Sequence, residues 1–280
     1  MPERPDLEHW VPELRAALVG ARFTTLRSPK PVVLRCLFAE TPEEWIAGRS
    51  IQAVQRHGPF VWFELGDQSV RIHPMLAGRF RLAQKGDREP LDLAVAFLLQ
   101  DGRELWYRDD KQMGKVYLGP TGVDLPGWSR VGLDPLAPEW NRPAFDALVK
   151  KRRDQLKTFL LDHGAIDCLG NAYADEVCWH AQLHPKARVS ELSEVQRQSL
   201  FLAIPKVLQE SIDEIARRKP ALDEKLRDFL AVRGRKDQPC PRCQTTLRTC
   251  GVNGYDAYFC PTCQPDEKGR VLVDWRKVTR

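Results

Sequence analysis

The sequence predicts an α+β fold made of three consecutive segments. Apolar residues recur at helical spacing directly after the N-terminus, and short β-rich runs separated by turns then continue to about residue 118. Helical periodicity returns beyond residue 143, and two Cys-x-x-Cys pairs lie near the C-terminus. With 280 residues, 42% of them hydrophobic, the chain is long enough for two domains and a small appendage.

The first segment, residues 1–135, is predicted to be a β-sandwich or flattened barrel that follows one helix. The helix has an apolar face made of Leu7, Trp10, Val11, Leu14 and Leu18. Asp6 is expected to cap this helix, and Pro12 is expected to kink it or to mark its first turn. The runs typical of strands are 51–54, 60–65, 69–72, 94–100 and 103–108. Asp101-Gly102 between the last two predicts a tight hairpin.

The middle segment, residues 136–235, is predicted to be helical. It follows a stretch from Gly119 to about Pro143 that is rich in glycine and proline and lacks periodicity, as is typical of a linker. Ser193 and Gln196 resemble a capping box that opens a long amphipathic helix. Pro205 is expected to kink that helix or to split it in two. Shorter helical runs precede it at 145–149, 156–162 and 172–180.

The C-terminal segment, residues 236–280, is predicted to bind one structural zinc ion. Sixteen residues separate its two cysteine pairs, and this spacing lets four thiolates converge on one ion. The ligands would be Cys240, Cys243, Cys260 and Cys263. Two local disulfides or a redox pair are the alternative, but so short a segment needs the metal to hold it together. A site closed by four cysteines leaves no position for water, so catalysis must lie elsewhere.

A β-hairpin is predicted between the two cysteine pairs, with strands at 245–249 and 258–259 and a tip near 251–256. The other cysteines are scattered along the chain, and we expect them to be buried small apolar residues. They are Cys36, Cys168, Cys178 and Cys250.

Positive charge is concentrated at the C-terminal end of the chain. Residues 231–280 carry ten basic and five acidic side chains, an excess of +5 that equals the formal net charge of the whole chain. Such a segment favours a polyanionic partner, and a merely solvated surface is the alternative. No stretch approaches the roughly 18 apolar residues of a membrane span, and the first residues do not form a signal peptide. We therefore expect a cytoplasmic or nucleoid-associated protein with no membrane partner.

Pro2 is a candidate nucleophile. A methionine before so small a residue is normally removed, and its removal would leave a secondary amine at the N-terminus. An amine that attacks a sugar carbon forms an imine without further activation. Glu3 lies beside it and could donate or accept a proton. Many proteins begin Met-Pro, but a helix that starts near Asp6 would fix this terminus on a rigid element.

Three motifs resemble those of the formamidopyrimidine-DNA glycosylase and endonuclease VIII family. Residues 2–8, Pro-Glu-Arg-Pro-Asp-Leu-Glu, resemble the family's opening Pro-Glu-Leu-Pro-Glu-Val-Glu. Residues 156–176 resemble its helix-two-turns-helix element, and the four cysteines lie where its zinc ribbon lies. The resemblance covers nearly the whole chain. It implies a helix-two-turns-helix DNA-binding domain over residues 136–235, a zinc ribbon over 236–280, and a monomer that acts on damaged double-stranded DNA.

The resemblance also implies an activity and the residues responsible for it. The chain would be a bifunctional DNA glycosylase and abasic-site lyase, in which Pro2 attacks C1′ of the damaged nucleotide and Glu3 assists opening of the sugar ring. Asn171 and Lys157 would hold phosphates near the lesion. A side-chain amide at a helix N-terminus and a lysine both suit phosphate oxygens.

Members of this family flip the damaged nucleotide out of the duplex and fill the gap with protein side chains. Met75 stands where the intercalating methionine would be, and Met113 stands where a void-filling aromatic is common. The alternative for each methionine is a place in the core. Lys111 lies where the family often has an arginine, and Tyr255 is the nearest match to an arginine of the ribbon. The resemblance implies that these four residues contact DNA.

Pro59 occupies the place of a lysine that the family usually carries on a β-strand. Proline has no side-chain charge, so the sequence leaves open whether oxidised purines are excised by the family's usual route. His57 or Arg56 would take over the role of the lysine only in a reshaped loop. A protein that binds damaged DNA with little base excision is therefore an alternative. A tautomerase that uses an N-terminal proline on small keto acids is a third interpretation, but it assigns no role to the ribbon or the basic tail.

Overall fold

A computed structural model of the protein describes residues 2–150 and 152–266, and it has the predicted α+β fold. The described residues form two compact units. The first runs to Gly132 and includes Glu210–Leu226, and the second contains Leu133–Gln209 and the chain from Arg227 onward. Among the described residues, no helix is both long enough and apolar enough to cross a membrane.

The first unit is a β-sandwich, as predicted, with short helices at its edges. Its elements in chain order are α1 (Arg4–Leu18), β1 (Phe23–Arg27), a 3-10 turn (Pro31–Val33), β2 (Leu34–Cys36), α2 (Pro42–Ile46), β3 (Ala53–His57), β4 (Phe60–Leu65), β5 (Gln68–His73), β6 (Arg79–Gln84), β7 (Leu93–Leu99), β8 (Arg103–Arg108) and β9 (Lys115–Pro120). One sheet has the strand order β1-β7-β8-β6, and the other has the order β2-β9-β5-β4-β3. Strand β2 pairs with β9 in parallel, and the other neighbours are antiparallel.

Aromatic side chains join the two sheets and α1. The ring of Phe80 on β6 lies 6.4 Å from that of Phe63 on β4 and 5.4 Å from that of Trp10 on α1. The predicted β7–β8 hairpin is present. Its turn needs glycine, since Gly102 has a φ of +87°, where a Cβ atom would be strained.

Helix α1 begins two residues before the cap that the sequence suggested. Glu3 is the N-cap, and its backbone N–H donates to the Asp6 carboxylate at 2.8 Å. Asp6 is therefore the third helical residue, and its carboxylate accepts from the N-cap residue, so the prediction that Asp6 is itself the N-cap was wrong. Pro12 lies inside a helix that continues to Leu18, so it does not mark the first turn.

The second unit is helical and ends in the ribbon. Its elements are α3 (Arg142–Lys150), α4 (Leu156–Leu160), α5 (Asn171–His180), a 3-10 turn (Val189–Glu191), α6 (Glu194–Arg218), β10 (Arg248–Val252) and β11 (Tyr255–Phe259), with α6 continuing into the first unit. Of the stretch predicted to be a linker, residues 121–141 contain no helix and only an isolated bridge at Leu133, while its two ends belong to β9 and α3. The predicted ribbon hairpin is formed by β10 and β11.

Helix α6 starts at the predicted capping box. The Ser193 backbone N–H donates to Gln196 Oε1 at 2.9 Å, and the Gln196 N–H donates to Ser193 Oγ at 3.3 Å. Pro205 lies within one continuous helix, so the predicted split does not occur. Leu200, Ile204 and Leu208 are fully buried, and this packed face holds the helix together across the proline.

Helix α5 is buried along most of its length, from Ala172 to Trp179. Two acidic residues, Asp175 and Glu176, lie in this buried stretch. A buried carboxylate requires partners, because desolvation disfavours its charge. The partners of these two groups organise the site at the start of α5.

Candidate active site and zinc centre

Pro2 and Glu3 lie together at the start of α1. Both are buried, and Glu3 is 4% exposed. The Glu3 carbonyl accepts hydrogen bonds from the N–H groups of Asp6 at 3.0 Å and Leu7 at 3.2 Å. The first turn of a rigid helix therefore fixes the residue that carries the candidate acid and, through it, the adjacent proline.

Two arginines converge on Glu8, just over one turn along the same helix. Arg4 Nε lies 2.7 Å from Glu8 Oε1, and Arg56 Nε lies 3.3 Å from the same oxygen. Arg56 also donates to the carbonyl of Gly58 at 2.9 Å. The Arg56 guanidinium therefore lies at the base of the β3–β4 turn and faces α1.

Pro59 is buried in that turn, and its neighbour His57 is packed against an aromatic ring. The His57 ring stacks on Trp128 with centroids 4.2 Å apart, and His57 Nε2 lies 2.8 Å from the Trp128 carbonyl oxygen. The turn thus has the uncharged Pro59 where the resemblance implies a lysine, and Arg56 is the charged side chain next to the turn.

Two loops of the first unit pack around the phenol of Tyr107. A Cβ atom on Gly78 would lie 2.4 Å from Tyr107 Oη, and a Cβ atom on Gly114 would lie 1.8 Å from it. Both positions therefore require glycine. Asp109 shapes the second loop, because its carboxylate accepts the N–H groups of Lys111 at 3.1 Å and Gly114 at 2.7 Å.

Met75 and Met113 lie on these two loops, which are neighbours because both pack on Tyr107. Met113 is 45% exposed, whereas Met75 is only partly exposed and adopts a φ of +47°. The next residue, Leu76, is 52% exposed and was not singled out from the sequence. The sequence shows Leu76 only as an apolar residue in a short turn. The structure is needed to show that Leu76 is more exposed to solvent than its neighbour Met75. Lys111 is exposed and lies 3.6 Å from Asp110.

The four ribbon cysteines converge as predicted, with their sulfur atoms within 4.8 Å of one another. Cys240 Sγ lies 3.9 Å from Cys263 Sγ, and Cys243 Sγ lies 3.4 Å from Cys260 Sγ. Four thiolates at zinc bonds of about 2.3 Å would place their sulfurs about 3.8 Å apart in a tetrahedron. The alternative of two local disulfides fails, since all four cysteines are free. The donor set and its geometry fit one structural zinc ion.

Trp179 of α5 contacts this zinc centre and was missed from the sequence. Its indole N–H donates to Cys240 Sγ at 3.4 Å. Burial acts to raise the pKa of Cys240, but hydrogen bonds from Trp179 and from the backbone outweigh it and the net shift is downward. Arg242 lies 4.1 Å from the Trp179 ring centroid and donates to its carbonyl at 3.1 Å. The ribbon is thereby joined to the helical part of its unit.

The remaining cysteines follow the prediction with one exception. Cys168, Cys178 and Cys250 are buried, but Cys36 is exposed at the end of an edge strand. Five of the ten basic residues in 231–280 lie outside the described residues. They are Lys268, Arg270, Arg276, Lys277 and Arg280.

A cluster of charged and amide side chains surrounds Asn171, the first residue of α5. The Asn171 amide nitrogen donates to Asp256 Oδ1 at 2.8 Å. Lys157 is fully buried, and its ammonium lies 2.5 Å from Asp175 Oδ1. Its other acceptors are the backbone carbonyls of Asn171 and Asp256. Lys157 therefore faces the interior and holds this cluster together, while the Asn171 side chain lies at its edge.

Arg233 completes this cluster and was not singled out from the sequence. Its Nη1 donates to Asp175 Oδ2 at 2.9 Å, and its Nη2 lies 3.1 Å from Asp256 Oδ2. Burial raises the pKa of Asp175 to about 6, although Lys157 and Arg233 oppose the shift. Burial also acts to raise the pKa of Asp256, but Asn171 and the two cations outweigh it and the net shift is downward.

Tyr255 is 47% exposed and lies on β11, directly before Asp256. It pairs with Val252 across the hairpin turn. The structure thus places Tyr255 at the tip of the ribbon hairpin. It is the neighbour in the chain of Asp256, which contacts Asn171.

Family models match all three parts of the chain. The formamidopyrimidine-DNA glycosylase N-terminal domain matches residues 1–116, and the H2TH domain of the same glycosylases matches residues 131–219. A zinc finger found in FPG and IleRS matches residues 237–265.

Full-length relatives and solved structures agree with these models. The formamidopyrimidine-DNA glycosylase of Pelotomaculum thermopropionicum is 30% identical over 273 residues, which cover 94% of this chain and 99% of the relative. That of Chloroflexus aurantiacus is 31% identical, with 94% and 98% covered. A solved complex between the Lactococcus lactis Fpg and DNA containing an abasic site has a TM-score of 0.86 and 27% identity, and covers 94% of this chain and 100% of that one. The chain therefore belongs to the formamidopyrimidine-DNA glycosylase family, as its three motifs indicated.

Proposed function

We propose that this protein is a DNA glycosylase and abasic-site lyase that acts on damaged double-stranded DNA through Pro2. The observation that carries the proposal is the placement of Pro2 and Glu3 at the capped start of α1. Once Met1 is removed, the Pro2 nitrogen attacks C1′ of the damaged nucleotide, loses its proton and displaces the base, which leaves protonated. Glu3 then donates a proton to the ring oxygen O4′, so that the C1′–O4′ bond breaks and the nitrogen lone pair forms an iminium with C1′. Removal of a proton from C2′ expels the 3′ phosphate and breaks the strand.

DNA binding would use both units, including the ribbon at the end of the second unit. We assign catalysis to residues 1–135, duplex binding to the helix-two-turns-helix segment 136–235, and further contacts to the zinc ribbon 236–280. Asn171 would contact a phosphate, and Lys157 would support it from within the unit. Lys111, exposed on the loop between β8 and β9, and Tyr255, exposed at the start of β11, are further candidates for DNA contact. We also propose that the protein works as a monomer, in the cytoplasm and on nucleoid DNA.

The preferred test of the mechanism is borohydride trapping on a duplex with a central abasic site. Borohydride reduces an imine to a stable amine, so an active lyase becomes covalently attached to DNA. We expect a one-to-one adduct with the wild-type protein, and none after the N-terminal amine is blocked. A peptide map should place the adduct on Pro2. Duplexes with dihydrouracil, 8-oxoguanine or an open-ring purine would then rank the substrates. An adduct on a lysine, or one that survives blocking, would contradict the role of Pro2.

Leu76 is proposed as a side chain that fills the gap left by the flipped nucleotide, together with Met113. Leu76→Ala is expected to slow excision of a damaged base about tenfold. Without the leucine side chain the gap in the base stack stays empty, so the flipped nucleotide returns to the stack more readily. Cleavage at a preformed abasic site should change less, since no base is held in the stack there. Single-turnover rates on the two substrates measure the difference.

Leu91→Ala is the matched control for Leu76→Ala, because Leu91 is a fully exposed leucine elsewhere in the same unit. Met75→Ala should have a smaller effect than Leu76→Ala, since Met75 is less exposed. Equal rates for Leu76→Ala and Leu91→Ala would contradict the assignment of Leu76.

A damaged-DNA-binding protein with little excision remains the second candidate function. The observation that favours it is the buried, uncharged Pro59 in the β3–β4 turn. This function predicts salt-sensitive DNA affinity without turnover on any lesion. The trapping experiment separates the two, because a pure binding protein forms no adduct on any substrate.

A further inference from the structure

The ribbon places a carboxylate of the chain itself between two groups suited to bind an anion. The Asp256 carboxylate accepts the Asn171 amide at 2.8 Å through Oδ1, and its Oδ2 lies 3.1 Å from Arg233 Nη2. An amide N–H and a guanidinium are donors that proteins use for phosphate oxygens. Asp256 therefore occupies the position that an anionic ligand of Asn171 and Arg233 would take.

Arg233 is held in place without Asp256. Its Nη1 donates to the fully buried Asp175, and its guanidinium lies 4.8 Å from the Tyr258 ring centroid. Its backbone N–H donates to Glu176 Oε1 at 2.9 Å, so α5 also fixes the segment that carries it. Loss of the Asp256 contact would leave the guanidinium oriented and with unused donors.

Asp256 is the most exposed of the charged side chains in this cluster. Its side chain is 52% exposed, compared with 22% for Arg233 and 0% for Lys157 and Asp175. Asp256 contributes one negative charge to the cluster. When its carboxylate moves away, the net charge of the cluster at the protein surface becomes more positive by one.

The hairpin tip that carries Asp256 is anchored to the helical part of the same unit. Asn253 Nδ2 donates to Thr158 Oγ1 of α4 at 3.0 Å, and Asn253 and Gly254 form the turn with φ values of +46° and +87°. Asp256 can therefore exchange its side-chain partners while the turn beside it stays attached.

We propose that Asp256 is an internal competitor for a DNA phosphate: its carboxylate occupies the site between Asn171 and Arg233 in the free protein, and a backbone phosphate of bound DNA displaces it. In the complex Arg233 then supplies the guanidinium that Tyr255 does not provide. The inference rests on the proposed function through the phosphate contact of Asn171. It goes further in assigning Arg233 as a phosphate ligand and Asp256 as a group that lowers DNA affinity.

The test compares DNA affinities by fluorescence anisotropy, on a duplex with a tetrahydrofuran residue that cannot be cleaved. Asp256→Asn is nearly isosteric and removes the competing charge, so we expect about fivefold tighter binding, the equivalent of about 1 kcal/mol. Arg233→Gln should bind about tenfold more weakly. In the Arg233→Gln background, Asp256→Asn should gain less than about twofold, because the contested site is already incomplete.

Asp237→Asn is the matched control, because this exposed ribbon aspartate contacts Lys236 and no residue of the Asn171 cluster. An equal gain from Asp237→Asn and Asp256→Asn would reveal a general charge effect and overturn the inference. Unchanged or weaker binding by both Asp256→Asn and Asp256→Ala, with unfolding midpoints like that of the wild type, would also overturn it. Absence of duplex binding by the wild-type protein would instead overturn the proposed function.

Discussion

Glu3→Gln is expected to slow strand cleavage at an abasic site by about 1000-fold, within the range for loss of a positioned acid or base. Glutamine has nearly the shape of glutamate, and the hydrogen bonds that start α1 use the backbone N–H and carbonyl of residue 3, so α1 should begin at the same residue. DNA affinity should stay within about twofold, because the lost function is proton transfer rather than charge pairing with DNA. Single-turnover cleavage and anisotropy on the same duplex measure the two quantities.

Glu13→Gln is the matched control for Glu3→Gln, since Glu13 lies on the exposed face of the same helix. It should cleave at the wild-type rate. Pro2→Gly should cleave the abasic site more slowly than the wild type but faster than Glu3→Gln, because glycine still offers an N-terminal amine. Full cleavage by Glu3→Gln would remove Glu3 from the mechanism.

Removal of the zinc ion is expected to unfold the ribbon and to lower DNA affinity by about tenfold or more. The ribbon's packed centre is small and includes two of the metal ligands, Cys240 and Cys260, so metal binding supplies much of its folding free energy. The hairpin contacts to Thr158 and Asn171 would be lost with it. The zinc ion is removed by dialysis against a chelator. Anisotropy then measures the DNA affinity, and tryptophan fluorescence reports the unfolding of the ribbon, because the Trp179 indole contacts Cys240 Sγ.

Two cysteines of the ribbon provide the control for zinc removal. Metal analysis should find about one zinc ion per chain in the wild type and in Cys250→Ala, because Cys250 lies outside the four-cysteine cluster. Cys243→Ala should lose the ion. A metal-free protein that keeps its ribbon fold and its DNA affinity would contradict a structural zinc.

Local patterns in the sequence determined the elements whose causes are local. Asp101-Gly102 specified the β7–β8 hairpin, since the turn needs a positive φ at the glycine. Cysteine spacing specified the zinc ligands, and Ser193 with Gln196 specified the start of α6. Of the two effects expected of Pro205, the split of α6 does not occur, because a helix that contains proline can persist when its face is buried, and burial is a tertiary property.

The candidate catalytic pair could be read from the sequence because Pro2 and Glu3 are adjacent and the helix after them is local. Leu76 could not be separated from Met75, because both are apolar and only loop packing around Tyr107 exposes one more than the other. The tertiary structure alone added Asp175, Arg233 and Asp256 to the cluster around Asn171 and Lys157. Asn171 meets Asp256 across 85 residues of sequence, and Arg233 meets Asp175 across 58. No periodicity or spacing encodes such contacts, because they depend on how α5, the segment before the ribbon and the ribbon hairpin pack together.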